Sequence, residues 1–147
     1  MTDSFPFSNE TYEAEWVIDG VLARAQRPGY PVDRPPAETV DRWIDAAFAL
    51  GVLSVICLLD HEQLSQYDHI ELGDDGLLAH YRARGLKVAH VPADDYKTPP
   101  LSNEELAEVW DAYQRLEIPV LVHCSAGRDR AGAAVEHIRT RLGDDAQ

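Results

Sequence analysis

The chain has 147 residues, 45% of them hydrophobic, which is enough for one domain with a single packed core. Its 26 acidic residues against 13 basic ones give a net charge of −13, which disfavours nucleic acid and anionic membranes as partners. No apolar run is long enough to span a membrane, no signal peptide is visible, and two cysteines make no disulfide framework. We therefore expect a cytoplasmic protein in which residues 1–147 form one domain, with residues 1–14 as a loose acidic lead-in.

The first predicted elements are two short strands at residues 15–18 and 21–24, joined by a hairpin turn at Asp19-Gly20. Residues 26–36 contain four prolines and are predicted to form a loop. Apolar residues then recur at helical spacing over residues 37–50, which predicts an amphipathic helix.

The rest of the chain continues this alternation. The further predicted elements are a strand at 52–59, a helix at 76–84, a strand at 86–91, a helix at 102–117, a strand at 118–122 and a helix from Arg130 to Leu142. We expect Gly143 to end the last helix. The pattern predicts an α/β fold, with a central, mostly parallel sheet flanked by helices on both faces.

The segment from His123 to Arg130 lies between the last predicted buried strand and a helix. A loop in this position turns several backbone N–H groups toward one point at the positive end of a helix dipole, and so forms an anion cradle. A cysteine at its floor, Cys124, gains a field that stabilises the thiolate. Arg130 can donate two hydrogen bonds to a tetrahedral oxyanion. These features indicate cleavage of phosphate esters through a phosphocysteine.

The segment resembles the P-loop of the protein tyrosine phosphatase superfamily, which reads His-Cys-x-x-Gly-x-x-Arg followed by Ser or Thr. The compact dual-specificity members, including small bacterial and archaeal ones, are the most similar. The resemblance implies that Cys124 is the nucleophile, that His123 helps to fix the loop and the thiolate, and that no metal or other cofactor is needed. The phosphate-binding residues that it implies are Ser125, Ala126, Gly127, Arg128, Asp129 and Arg130.

The predicted strand at 86–91 leads into a segment with two candidate general acids. A carboxylic acid placed here could protonate the leaving oxygen of the ester. The segment looks like the acid loop of the family, which in many members has an aspartate four residues before a proline. Asp95 with Pro99 fits that pattern, so Asp95 is the expected acid, and Asp94 is the alternative.

Ala131 departs from the family motif. In the family the hydroxyl group at this position donates a hydrogen bond to the cysteine sulfur and eases its departure in the second step. We therefore expect slow hydrolysis of the phosphocysteine. A slow or inactive phosphatase-like module that binds phosphorylated partners is the alternative function.

The expected substrates are phosphorylated proteins or small phosphomonoesters, with phosphotyrosine favoured and phosphoserine or phosphothreonine also considered. A phosphoinositide or inositol phosphate phosphatase is a further alternative, which the net charge and the single basic residue beside Ala126 and Gly127 disfavour. The aromatic residues considered for the wall of a phosphotyrosine cleft are Tyr30, Tyr67 and Tyr96.

Three further residues have two interpretations each. Arg24 and Arg27 resemble a family segment near the rim of the active site, and they either contact substrate or form surface ion pairs. Cys57 is either a buried structural residue or a redox partner of Cys124.

Few residues follow Arg130 compared with the family, so a homo-oligomer could cover the short C-terminal end.

Overall fold

The structure, a computed structural model, describes residues 14–68 and 76–146. The predicted acidic lead-in lies outside these residues, apart from Ala14. The strands are β1 (Ala14–Ile18), β2 (Leu22–Ala25), β3 (Ser54–Cys57), β4 (Lys87–His90) and β5 (Val120–His123). The helices are α1 (Ala37–Ala49), α2 (His61–Ser65), α3 (Gly76–Ala83), α4 (Asn103–Arg115) and α5 (Asp129–Ala146).

The strands form one sheet in the order β1-β2-β5-β3-β4. Among the described strands, only β1 runs antiparallel to its neighbour, and the turn between β1 and β2 contains Gly20 with φ +72°. The other pairs are parallel, so the carboxyl ends of β2, β3, β4 and β5 meet at one edge of the sheet. The predicted α/β fold with a mostly parallel sheet is confirmed.

Two apolar clusters cover the two faces of the sheet. In β5, Leu121 belongs to the cluster that includes Trp43 of α1 and Tyr81 of α3. Val120 and Val122 belong to the other cluster, with residues of α4 and α5. Because side chains of a strand alternate between faces, buried strands such as β5 carry apolar residues at nearly every position.

The helices differ from the sequence analysis in two respects. The helix α2 was not predicted. Asp60 begins it with a capping box, in which the Asp60 side chain accepts from the backbone N–H of Gln63 and the Gln63 side chain accepts from the backbone N–H of Asp60. Gly143 does not end α5, which runs to Ala146. Gly143 is not among the residues with positive φ, and a glycine inside a helix costs only about 1 kcal/mol relative to alanine.

Candidate active site

The segment from Cys124 to Arg128 forms the loop between β5 and α5 at the carboxyl edge of the sheet. Cys124 is 2% exposed, and its Sγ accepts a hydrogen bond from the backbone N–H of Ala131, at 3.4 Å. The sulfur thus lies against the first turn of α5, where unpaired N–H groups and the helix dipole favour negative charge. This geometry suits a thiolate or an anion bound beside it.

Gly127 lets the loop lie close to the end of β2. Its φ is +76°, and a Cβ atom there would stand 2.7 Å from the backbone C and O atoms of Ala25. A larger residue would need both a rare backbone conformation and a shift of the adjoining strand. The close approach to β2 therefore explains, on steric grounds, why the motif has glycine at position 127.

Arg130 is buried and joins three parts of the site. Its Nη1 donates to the backbone oxygens of Leu58 (3.3 Å) and Ala93 (2.7 Å) and to Oε1 of Gln63 (2.9 Å), and its Nη2 donates to Oδ2 of Asp95 (3.0 Å). Its Nε is buried without a hydrogen-bond partner among the described residues. An unpaired buried donor is costly, and an oxyanion on the loop would satisfy it.

The structure brings Asp95, and not Asp94, to Arg130. Oδ2 of Asp95 accepts from Arg130 and from Nε2 of Gln63 (3.2 Å), and Oδ1 accepts from the backbone N–H of Tyr96 (3.0 Å). Asp94 is exposed. The amide of Gln63 therefore holds the guanidinium with its oxygen and the carboxylate with its nitrogen.

His123 is fully buried on the sheet face opposite Cys124 and supports the loop from there. Its Nδ1 lies 3.2 Å from the carbonyl oxygen of Cys124, and its Nε2 lies 2.9 Å from the hydroxyl of Tyr81. Because a carbonyl only accepts, Nδ1 carries the proton and Nε2 accepts from Tyr81. The pKa of His123 is lowered from 6.5 to about 3, mainly by burial and in smaller part by the positive charges of Arg130 and Arg27, against the raising effect of the hydrogen bond to the Cys124 carbonyl. The ring is neutral at neutral pH.

This pKa shift predicts a loss of stability in acid. Between pH 6.5 and about 3 the unfolded chain protonates His123 while the folded protein does not, so the free energy of unfolding falls as the pH is lowered. The contribution approaches about 1.4 kcal/mol per pH unit within that window. In His123→Gln, urea unfolding at several pH values should show a shallower dependence. Exposed His61→Gln serves as the control, and equal slopes in the two variants would contradict the expectation.

A family model described as a DSP-PTPase phosphatase of polymorphic toxin systems (Tc-R-P) matches residues 51–144. The chain belongs to this phosphatase family. The resemblance found in the P-loop is thus confirmed, and the protein is a cysteine-type phosphatase. No curated protein matches it in sequence.

Solved structures with the same fold include several phosphatases. A mutant form of Tk-PTP is 23% identical, with a TM-score of 0.60 over 88% of this chain and 73% of that one. The kinase associated phosphatase KAP is 18% identical, with a TM-score of 0.60 over 82% and 65% of the two chains. The catalytic domain of the PP-IP phosphatase SIW14 from S. cerevisiae is 17% identical, with a TM-score of 0.53 over 89% and 65%. At these identities the likeness shows the fold alone. None of the helices in residues 14–68 and 76–146 is long and apolar enough to cross a membrane.

The structure places Arg24, within β2, and Arg27, just after β2, in different environments. Arg24 forms an exposed ion pair with Glu15, at 2.7 Å. Arg27 is 4% exposed and donates to Ser125 Oγ, at 3.3 Å, so the expectation of a surface ion pair is wrong for it. The loop that carries it folds back onto the P-loop, and no sequence pattern indicated that contact.

The three tyrosines considered for a substrate cleft lie in different environments. Tyr67 is fully buried, and its hydroxyl donates to the carbonyl oxygen of Pro28, which makes it a packing residue and not a cleft wall. Tyr30 packs under the guanidinium of Arg27, whose Cζ lies 5.5 Å from the ring centroid. Tyr96 is 98% exposed, beside Asp95.

Cys57 and Cys124 lie in apolar clusters on opposite faces of the sheet. Cys57 pairs in register with His123, and Cys124, the residue that follows β5, turns to the other face. Burial raises the pKa of Cys57 to about 12, so the thiol stays protonated. This arrangement agrees with a structural cysteine.

The sequence analysis missed Gln63 and Tyr81. Both contact active-site residues that are more than 30 positions away in the chain, and neither belongs to the P-loop motif. The spacing of Asp60 and Gln63 matches a capping box and could have indicated α2. It gives no hint that the glutamine also contacts Arg130.

Proposed function

We propose that the protein hydrolyses phosphomonoesters through a phosphocysteine intermediate on Cys124. The observation that carries the proposal is the buried Nε of Arg130, which has no partner among the described residues although hydrogen bonds from Nη1 and Nη2 hold the guanidinium in place. A guanidinium fixed in this way presents a donor to an oxyanion without further ordering. Cys124 lies at the other end of the same loop, against the N-terminus of α5.

In the first step the Cys124 thiolate attacks phosphorus, and an S–P bond forms as the ester P–O bond breaks. Arg130 and the loop N–H groups bind the equatorial oxygens, and Asp95 gives its proton to the leaving oxygen. In the second step the Asp95 carboxylate takes a proton from water, which attacks phosphorus. The S–P bond then breaks, and inorganic phosphate and the thiolate are released.

The contact between Asp95 and Arg130 belongs to the free enzyme in this scheme. A bound phosphoryl group competes with the carboxylate for the guanidinium. Gln63 remains bonded to both residues, so it keeps the carboxylate beside the phosphoryl group when the ion pair opens. The proposed roles of Asp95 and Gln63 are therefore linked.

The proposed substrates are phosphotyrosine and also phosphoserine or phosphothreonine. Tyr96 supports an aromatic substrate, since its ring is 98% exposed next to the acid. Its φ of +60° is unusual for a tyrosine, and such backbone conformations occur often at functional sites. Inositol phosphates are the second substrate class, and the net charge of −13 disfavours them.

The proposal is tested by hydrolysis of para-nitrophenyl phosphate with vanadate as a competitor, followed by a panel of phosphotyrosine, phosphoserine and inositol phosphate substrates. We expect hydrolysis that vanadate inhibits, and the highest kcat/KM on phosphotyrosine peptides. Tight vanadate binding without hydrolysis would instead support a module that binds phosphorylated partners. A preference for inositol phosphates would overturn the proposed substrate class.

Asp95→Asn is expected to slow hydrolysis to an extent that depends on how strongly the leaving group needs a proton. Phenyl phosphate, whose leaving group needs a proton, should lose about 100-fold or more in kcat, and para-nitrophenyl phosphate much less. The comparison variant is Asp94→Asn, which removes the same charge from the neighbouring exposed position. Equal losses on the two substrates would contradict a role of Asp95 as the acid.

Ala131→Ser is expected to speed up the second step. Ala131 is buried and its N–H lies against the sulfur, so a hydroxyl at this position can donate to the departing thiolate. We expect a burst of product in the wild type, and in the variant a steady-state rate about ten- to 100-fold higher with a smaller burst. Stopped-flow assays measure both, with Ala133→Ser on the same helix as the control. No burst in the wild type, with an unchanged rate in the variant, would contradict this prediction.

A further inference from the structure

Arg27 is a buried cation that contacts the P-loop but has no part in the two chemical steps. It follows β2, and its side chain is almost completely enclosed, at 4% exposure. Its backbone N–H donates to the carbonyl oxygen of Ser125, at 3.0 Å, and its Nε donates to Ser125 Oγ, at 3.3 Å. The residue after the nucleophile is therefore held by both the backbone and the side chain of Arg27.

The remaining contacts of Arg27 also go to neutral groups. Its Nη1 donates to the carbonyl oxygen of Val32, at 3.0 Å, and to the hydroxyl of Tyr67, at 3.2 Å. None of the ion pairs among the described residues includes Arg27. Burial of a cation without a carboxylate is costly, which distinguishes Arg27 from Arg24, three residues earlier, whose partner is Glu15.

The titratable groups around Arg27 do not supply the missing negative charge. Tyr67, after α2, is neutral because burial raises its pKa to about 12. His123 of β5 is neutral, and the charge of Arg27 is one of the causes that lower its pKa. Asp95 of the acid loop is bonded to Arg130 at the start of α5. The other charged side chains of the P-loop, Arg128 and Asp129, are exposed.

We propose that Arg27 is a positioning residue of the P-loop, which fixes Ser125 and supplies a second buried positive charge for the Cys124 thiolate and the bound phosphoryl group. Arg27 acts through Ser125 and through its field, since its enclosure leaves little surface for contact with substrate. The inference rests on the proposed function of Cys124, and it adds a residue from the hairpin side of the sheet to the active site.

The test measures alkylation of Cys124 by iodoacetamide at pH 6, where the rate reports the fraction of thiolate. All proteins carry Cys57→Ala, so that one thiol remains. Arg27→Gln is expected to lower the rate about tenfold, since a buried unit charge held against the residue after Cys124 is removed. Arg24→Gln loses the same charge from an exposed ion pair and is expected to change the rate less than twofold. Equal rates in the two folded variants would overturn the proposal.

Arg27→Lys separates the charge from the positioning. It keeps the charge but loses the hydrogen bond from Nε to Ser125, so alkylation should stay within about threefold of the wild type. The affinity for tungstate, measured by calorimetry, should fall about tenfold because the loop is less well held. Circular dichroism establishes which variants fold. If Arg27→Gln does not fold, unchanged tungstate binding in Arg27→Lys overturns the proposal.

Alkylation and tungstate binding require no turnover. A wild type that hydrolyses no phosphomonoester, while Arg27→Gln still shows slow alkylation, would contradict the proposed hydrolysis and leave the inference on Arg27 supported. Hydrolysis by the wild type, with equal alkylation rates in Arg27→Gln and Arg24→Gln, would support the proposed hydrolysis and contradict the inference on Arg27.

Discussion

Cys124→Ser is expected to abolish hydrolysis of para-nitrophenyl phosphate, with a loss of at least about 10⁴-fold in kcat. A serine hydroxyl at this position stays protonated at neutral pH, and the helix N-terminus that favours a thiolate cannot ionise it. The anion clamp should remain in place, because none of the hydrogen bonds that hold Arg130 involves the sulfur. Tungstate should therefore still bind and raise the melting temperature of the variant.

Cys57→Ala is the matched control for this experiment. Cys57 is buried on the other face of the sheet, and the proposed mechanism makes no use of it. The control should keep its activity and remain sensitive to alkylation, because Cys124 is still present. Residual activity in Cys124→Ser within about tenfold of the wild type would contradict the phosphocysteine mechanism.

Arg130→Lys is expected to lower kcat/KM about 10³-fold and to weaken tungstate binding. Lysine has no Nε donor of the guanidinium type and no fork, so it cannot bind two oxygens of a phosphoryl group in one plane. It also cannot reach Leu58, Ala93, Gln63 and Asp95 at once. The melting temperature should fall as well, since buried acceptors lose their donors.

Arg139→Lys on the exposed side of α5 is the control for the exchange of arginine for lysine. Among the residues that the structure describes, Arg139 pairs with Glu136 of the same helix alone, and such surface pairs contribute little. Its activity and stability should match the wild type. A variant Arg130→Lys with full tungstate affinity would show that the guanidinium is not the anion clamp.

The main strands, the longer helices and the P-loop could be predicted because their signals are local. Buried strands such as β5 appear in the sequence as continuous apolar runs, and the motif from His123 to Arg130 is recognised by the fixed spacing of its residues. The choice of Asp95 over Asp94 came from the resemblance to the family's acid loop, in which an aspartate stands four residues before a proline, and the structure brings Asp95 to Arg130. The five-residue helix α2 is too short to show a helical period.

The contacts that complete the site could not be predicted from one sequence. Arg27 and Ser125 are 98 positions apart, and Tyr81 and His123 are 42 apart. Arg27 meets Ser125 because β2 and β5 are neighbours in the sheet, and Tyr81 meets His123 because α3 packs on the sheet face that carries the histidine. Local sequence patterns specify neither contact. The burial of Arg27 also could not be predicted from the sequence, since an arginine in a proline-rich loop is usually exposed to solvent.

The alternation of side chains along β5 divides the surroundings of the nucleophile between two cores. Cys124 packs with residues of α4 and α5, while His123 packs with Trp43 and Tyr81 on the other face. Substitutions in the α4–α5 core can displace the sulfur directly, whereas substitutions in the α1–α3 core reach it indirectly, for example through the Cys124 carbonyl group that His123 binds. Substitutions that accumulate in the α1–α3 core can therefore adjust the shape of the P-loop without changing the residues that contact the Cys124 sulfur.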